Sequence, residues 1–375
     1  MKIGNVAVDN FYIEADVYIL THCHADHMSG LKKWHENSLY CSELSAKILA
    51  KRGLGAISKP TNQPFELVDR RSSKTLKLTF IDANHCPGAV MVVIEDPEHG
   101  NYVHTGDFRM CDAIRHNNKL CRLAGKVQHL YLDATFNASW LPCKEDSVDM
   151  LKGLIRQHHD RDIILNSSCM GDEEMFTAIS QFTDRKIIWW NQNRRKLLQC
   201  THPGLLRHMD QYMTTGACIH IVKSIADCKM SGIKIVCSTL WFKNEGFAAF
   251  DMSQPFYDNE HGTWRVPFSM HSSAEEQQEL EQLLHPALTT RLYGTDAQDK
   301  AKVVTEVATE VVTEVVTEVA HTDRDKEFMM RVAEAVDKSV EFYTAVDASS
   351  EEETEDLLEL ALQTRKRRRT NGALA

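Results

Sequence analysis

No apolar run in the 375-residue sequence approaches the length of a membrane span, so an integral helical membrane protein is not expected. The opening stretch MKIGNVAVDNFYIEADVYIL lacks the basic start, long apolar centre and small-residue cleavage site of a secretory signal. Eleven cysteines are scattered without framework spacing, which points to reduced thiols of a cytosolic or nuclear protein rather than disulfides. Positive charge is also short: 43 Lys and Arg stand against 53 Asp and Glu, a net of −10. The shortage is local, because residues 301–375 hold 17 acidic and 10 basic residues, leaving 36 and 33 in the first 300. A near-neutral body neither demands nor excludes a basic groove for nucleic acid.

The length suits two domains with cores of their own, or one domain with a large insertion. In the first 135 residues, KLTFIDANH, AVMVVIED, NYVHTGD and QHLYLDAT are short apolar or alternating runs closed by Asp, Asn, Gly or Pro, and they predict strands. CSELSAKILAKRG predicts a helix with a Ser N-cap and a Gly near its end. In the middle region, SVDMLKGLIRQHHD, DEEMFTAISQFT and PGLLRHMDQYM look helical and alternate with strand-like DIILNSS, KIIWWNQ, CIHIV and GIKIVCS. That alternation predicts an α/β unit with a parallel sheet. WRVPFSMHSS then predicts a strand and turn before the helix SAEEQQELEQLLHP, with Ser273 at its N-cap. Residues 305–320 repeat a TEVx unit four times and predict a helix with one apolar stripe. The basic block RKRRR (365–369) reads as a nuclear-import signal or as a solvated charge run.

One stretch stands apart. THCHADHMSG puts His22, His24, Asp26 and His27 within six positions, directly after the apolar run ADVYIL. A His-rich surface loop is the plain alternative, but H-x-H-x-D-H at a strand end is a more specific pattern. His22 and His24 alternate out of an extended segment, so both rings can share one cation, while Asp26 and His27 are offset toward a second. Neutral imidazole and carboxylate suit zinc, and two such sets side by side suggest a two-metal hydrolytic site. DANHCPGAV offers His85 at a strand end before a Pro-Gly turn, and HTGDFR offers Asp107, whose two oxygens can bridge two cations. The expected ligands are His22, His24, His85 and Asp107 on the first metal and Asp26, His27 and Asp107 on the second. Asp16 is expected behind them, orienting backbone or imidazole, and His104 is read as structural.

Together THCHADHMSGL, DANHCPGAVM and HTGDFR resemble the metallo-β-lactamase superfamily. YLDATF and FSMHSS, separated by an α/β region, are similar to its β-CASP branch, which cleaves nucleic acids. The wording around the motifs resembles the DNA cross-link repair nucleases that include Artemis and Apollo. HCHADHMSGL, VQHLYLDATF, STLWF and FSMHSSAEEQQELEQLLHP are most similar to Artemis. The resemblance covers about residues 5–300. It implies an α/β fold in which an αββα metallo-β-lactamase sandwich is interrupted by an inserted β-CASP α/β domain, with DNA in the cleft between them. The implied boundaries are 1–135 for the first part of the sandwich, 136–264 for the β-CASP domain, 265–320 for the return segment and 321–375 for a partly disordered tail.

The resemblance also assigns roles. Asp133, Asp26 and His271 are the catalytic candidates, with Asp133 raising the pKa of His271 so that it can protonate the departing 3′ oxygen. Ser272 and Ser273 could bind a phosphate, although Ser273 is equally explained as a helix cap. One or two zinc ions are expected, with magnesium or manganese an option at the second site. RNA-processing β-CASP enzymes carry a further histidine at the strand after the HSS helix; here that strand reads TTRLYGT, which favours DNA. Artemis carries a separate structural zinc held by two His and two Cys. His208 and His220 fall at comparable places here, but Val222 stands where a cysteine is needed, leaving Cys218, Cys228 or Cys237 as substitutes or simply as buried thiols. The tail resembles no partner-binding tail and holds no Y-x-L-x-P motif, so repair-complex partners rest on resemblance alone. The expected protein is a nuclear, monomeric, zinc-dependent deoxyribonuclease of the Artemis-like branch. It would act on single-stranded, hairpin or overhanging DNA as an endonuclease or 5′–3′ exonuclease, in double-strand-break end processing or cross-link repair. The rival readings are an RNA-processing β-CASP nuclease, a small-molecule metallo-hydrolase and a non-catalytic DNA-binding scaffold.

Overall fold

Short apolar runs closed by Asp, Asn or Gly build the framework. The computed structural model describes residues 2–292 apart from 4, 70–73, 168–169, 191, 207–215 and 227. His208, the TEVx repeat and the RKRRR block lie outside the described residues.

The first sheet contains β1 (Lys2–Ile3), β2 (Val6–Val8), β3 (Val17–Ile19), β4 (Leu39–Ser42) and β5 (Ile57–Lys59) in that order. All its pairs are parallel except β1 with β2. Next come β6 (Pro64–Asp69), β7 (Lys74–Asp82), β8 (Val90–Asp96), β9 (Gly100–His104) and β10 (Val127–Asp133), neighbours in a second sheet. Their period of two is plain in β7 and β8. Leu76, Leu78, Phe80, Val90, Val92 and Ile94 face Val6, Val8, Val17 and Ile19 of the first sheet. Ile81, Met91 and Val93 point the other way, toward Leu280 and Leu284 of the helix Ala274–Leu284. On the outer face of the first sheet, Tyr18, Leu20 and Leu39 pack on Ile48 and Leu49 of the helix Glu43–Lys51. The layers therefore run helix, sheet, sheet, helix. Each fully buried Leu, Ile or Phe in them contributes about 1.5–3 kcal/mol of transfer free energy.

After β10 the chain leaves the sandwich and builds a third sheet. Its strands are β11 (Ile163–Asn166), β12 (Ile187–Trp189), β13 (Ile219–Val222), β14 (Ile233–Cys237), β15 (Phe256–Asp258) and β16 (Thr263–Val266). They lie in the order β12-β13-β11-β14-β16-β15, parallel except for β15 against β16. The helices Lys144–Gln157 and Glu173–Phe182 cover it through Leu151, Ile155, Phe176 and Ile179. The chain then re-enters the second sheet as β17 (Leu288–Leu292), parallel to β10. The α/β alternation predicted for the middle region is thus one parallel sheet inserted between two neighbouring strands of the sandwich.

Two elements there carry no legible periodicity: β15, with three residues, and the helix Leu240–Glu245 inside the STLWF stretch, held by the buried Phe242. Among the described residues no helix is long and apolar enough to cross a membrane.

Candidate metal centre

Every expected ligand lies just beyond the C-terminal end of a strand. His22 and His24 follow β3, His85 follows β7 and Asp107 follows β9. Each imidazole is anchored by one ring nitrogen. The His24 Nε2–H donates to the Met170 carbonyl at 2.9 Å and the His85 Nδ1–H donates to the Met270 carbonyl at 2.9 Å. A carbonyl only accepts, so those nitrogens carry the protons and His24 Nδ1 and His85 Nε2 are bare. Thr21 Oγ1 donates to Asp9 Oδ2 at 2.5 Å and lies 3.1 Å from His22 Nδ1, which leaves His22 Nε2 bare as well.

The bare nitrogens converge. His22 Nε2 is 3.0 Å and His85 Nε2 is 3.1 Å from His24 Nδ1, and Asp107 Oδ2 lies 3.6 Å from both His22 Nε2 and His85 Nε2. Lone pairs facing one another at these distances repel unless a cation sits among them. A four-coordinate zinc with bonds of about 2.0–2.1 Å gives ligand–ligand edges of about 3.3–3.4 Å. The donor set fits that ion.

Beside it, Asp107 Oδ1 lies 3.2 Å from His27 Nε2, and Asp26 Oδ2 lies 3.7 Å from the same nitrogen. Asp107 therefore turns one oxygen to each group of imidazoles. This close approach depends on Gly106, whose φ of +55° is left-handed and where a Cβ would stand 2.8 Å from Thr21 Cβ.

Electrostatics divide the histidines. Burial, then the neighbouring imidazoles, holds His22 and His85 well below the ordinary histidine value, so both are neutral and ready to ligate. Burial likewise lowers His24. Burial works against charge on His27, yet Asp107 and Asp9 together raise it well above the ordinary value. His104 is buried, accepts a hydrogen bond from the Gly106 N–H at 2.9 Å and is pushed by burial down to about 3, in keeping with a structural part.

Asp133 and His271 form a pair against this centre. The His271 Nδ1–H donates to Asp133 Oδ2 at 2.9 Å, and His271 Nε2 lies 3.9 Å from Asp107 Oδ2. Burial opposes a charged ring, but Asp133 and Asp107 raise the pKa of His271. The buried Asp133 carboxylate also accepts from Thr135 Oγ1 at 2.7 Å and the Thr135 N–H at 3.0 Å. Burial disfavours its charge, and His271 and these bonds outweigh that and lower its pKa. Beneath the pair, the buried Arg109 donates through Nη1 to the His271 carbonyl at 3.0 Å and through Nη2 to the Pro142 carbonyl at 2.9 Å, and its Nε lies 3.3 Å from Glu276.

Three expectations are corrected. Asp16 is not behind the ligands: it precedes β3, at the end of the strand remote from His22, and its carboxylate accepts from Asn5 Nδ2. Asp9 fills that place instead. It closes β2, which runs parallel to β3, and its oxygens accept from the Thr21 N–H at 2.8 Å and from His27 Nδ1–H at 2.8 Å. An aspartate closing the apolar run NVAVD was the available signal, the same one that marks Asp133. Ser272 and Ser273 do not face a phosphate site. Both are buried; Ser272 Oγ donates to the Phe108 carbonyl and accepts from the Met110 N–H, and Ser273 caps the helix Ala274–Leu284 in a reciprocal pairing with Glu276. Finally, among the described residues Cys228 joins no close ligand group with His220 and packs beside Ile164, Val222 and Ile225. Cys218 and His220 are grouped with Asp162, whose Oδ2 is 3.4 Å from His220 Nε2. Cys237 is a thiol that burial pushes upward.

No family model matches the chain. The DNA cross-link repair protein SNM1 of Arabidopsis thaliana is 30% identical over 298 residues, covering 72% of this chain and 59% of that protein. The 5′ exonuclease Apollo of Mus musculus is 28% identical over 282 residues, covering 72% of this chain and 50% of Apollo. The chain thus spans little more than half the length of these curated relatives. Among solved structures, a protein of unknown function from Enterococcus faecalis V583 matches with a TM-score of 0.52 at 15% identity, over 75% of this chain and 76% of that one, a likeness of fold. With strand-end histidines and aspartates gathered on a layered sandwich, the chain is similar to these DNA cross-link repair proteins and exonucleases of the metallo-β-lactamase/β-CASP family.

Proposed function

We propose that this protein is a metal-dependent DNA nuclease of the Artemis-like branch, hydrolysing phosphodiester bonds in DNA repair, with the third sheet as its β-CASP domain. The observation that carries the reading is the division of the Asp107 carboxylate between two imidazole groups, 3.2 Å from His27 on one side and 3.6 Å from His22 and His85 on the other. His22, His24, His85 and Asp107 would hold one zinc ion; Asp26, His27 and Asp107 would hold a second cation, either zinc or magnesium or manganese. Such ions, when bound, supply Lewis acidity toward a phosphate and lower the pKa of a water.

The chain's own groups do the rest. Asp9 and the Met170 and Met270 carbonyls hold the rings in the tautomers that ligation requires. Asp26, the most exposed of the ligands at 39%, orients the attacking water. Asp133 holds His271 by Nδ1 so that Nε2–H faces the reaction zone. There it delivers a proton to the departing 3′ oxygen.

Three things support DNA as substrate: the names of the repair relatives, the Artemis-like wording of four stretches, and the absence of a histidine from the sequence TTRLYGT. The test is incubation with labelled single-stranded DNA, hairpin DNA and RNA of matched sequence, with and without chelator. Cleavage of DNA that chelator abolishes is expected, weakening with salt by a slope of about 0.7 per phosphate contacted on a single strand. RNA cut as fast as DNA returns the assignment to the RNA-processing branch, and chelator-resistant cleavage removes the metal mechanism. Nuclear import is assigned to the RKRRR block, and a chain ending at His321 should cut DNA normally and lose nuclear accumulation.

A further inference from the structure

The three bare imidazole nitrogens have a second neighbour that the nuclease mechanism leaves unused. Cys86 follows His85 directly, and its sulfur lies with the ligand nitrogens of His22, His24 and His85 in a group whose donor atoms are all within 4.8 Å of one another. Its backbone is fixed. The Ala89 N–H donates to the Cys86 carbonyl at 2.9 Å, and Ser42 Oγ and Ser45 Oγ donate to the Gly88 carbonyl at 2.6 and 3.0 Å. The thiol is thus presented from a rigid turn, half-buried between the helix-facing sides of the two sheets. Cys23, although it lies between two ligands in sequence, is turned away into the core, where its thiol donates to the Ser45 carbonyl.

We propose that Cys86 is a thiolate donor for the first metal, so that three imidazoles and one sulfur can enclose the ion when the Asp107 carboxylate turns to the second. The inference rests on the metal-site reading above. A zinc–sulfur bond of about 2.3 Å would draw the sulfur and the three nitrogens, all within 4.8 Å of one another, onto one ion. Three imidazoles and a thiolate form a soft set that selects zinc or cobalt over magnesium and manganese, whereas Asp26, His27 and Asp107 offer mainly oxygen. The two positions would then differ in the ions they accept, the first retaining a thiophilic metal while the second exchanges.

The full chain loaded with cobalt(II) in place of zinc tests this. The wild type should show visible bands of low-symmetry cobalt and an intense near-ultraviolet thiolate-to-cobalt band. Cys86→Ser should keep the visible bands and the metal stoichiometry, lose the near-ultraviolet band and weaken metal retention about tenfold against a competing chelator. Any band arising at Cys218 persists in both proteins and cancels in the difference. Cys86→Ala serves equally if the serine variant fails to fold by circular dichroism. Identical near-ultraviolet spectra at equal cobalt content overturn the proposal and leave the nuclease reading standing. Cobalt binding unaffected by His22→Ala would instead remove the metal site itself.

Discussion

His24 and Met170 are joined across 146 positions of sequence: the imidazole Nε2–H donates to the Met170 carbonyl at 2.9 Å. An imidazole borne by the first sheet is therefore oriented by a loop of the inserted region. The adjoining Gly171 has a φ of +118°, and a Cβ there would collide with Met270 Sδ at 1.7 Å and approach the His85 carbonyl at 3.2 Å. Gly171→Ala should displace the Met270 side chain and, through the strained φ, shift the adjoining Met170 carbonyl that holds His24. Metal affinity should fall about 10–100-fold, as it does when groups orienting ligands are lost. Titration with zinc in competition with a chromophoric chelator measures it, and wild-type affinity in this variant would mean the loop does not set the ring.

Asp107→Ala should abolish hydrolysis, since it removes an oxygen from each imidazole group at once. Folding should survive, because the side chain lies at a strand end and outside every apolar cluster. Metal analysis, activity and thermal unfolding separate these effects. Unchanged metal content with full activity would show that the centre is elsewhere.

His271→Ala should lower the chemical rate by about 10²–10⁴-fold while the tightly bound metal stays. Asp133→Asn should act in the same direction, because it loses the carboxylate that fixes the Nδ1 proton. Single-turnover kinetics together with metal content gives the answer; loss of metal on His271→Ala makes that ring a ligand instead.

Away from the centre, Asp258 ties β15 to β16, accepting from Arg265 Nη2 at 2.8 Å and from His261 Nδ1–H at 2.9 Å. Burial opposes its charge, and the bonds from Arg265 and His261 outweigh it, so its pKa is lowered in the folded chain. A lowered carboxylate stabilises above its unfolded value of about 3.9, and that stability is lost as pH falls through the folded value. Asp258→Asn should thus lower Tm at neutral pH, with the gap from wild type closing in acid. A gap independent of pH would assign its effect to packing.

Much of the centre is readable in the residues themselves. His22, His24, His27, His85 and Asp107 are chemically distinctive side chains at the ends of apolar runs, and strand-end placement alone brings them to one edge of the sandwich. Asp133 and His271, 138 positions apart, needed the resemblance, because nothing local shows that the end of β10 meets the turn after β16. The choice between Asp9 and Asp16 turned on strand direction. Both border apolar runs, but only the parallel pairing of β2 with β3 puts the end of β2 beside Thr21. Met170 and Met270 act through backbone carbonyls, which any residue type possesses, so no sequence pattern could mark them. Ser272 and Ser273 misled for the converse reason: a hydroxyl suits a phosphate as well as a cap, and burial decided.

The guanidinium of Arg109 grips the carbonyl of Pro142, where the chain departs into the third sheet, and that of His271, where it has just come back. Departure and return are thereby clasped at a single point. Between them the excursion can grow, shrink or be exchanged over evolutionary time without disturbing the spacing of its two ends. The surface of the excursion can then diversify while the His271 ring keeps its place against Asp133.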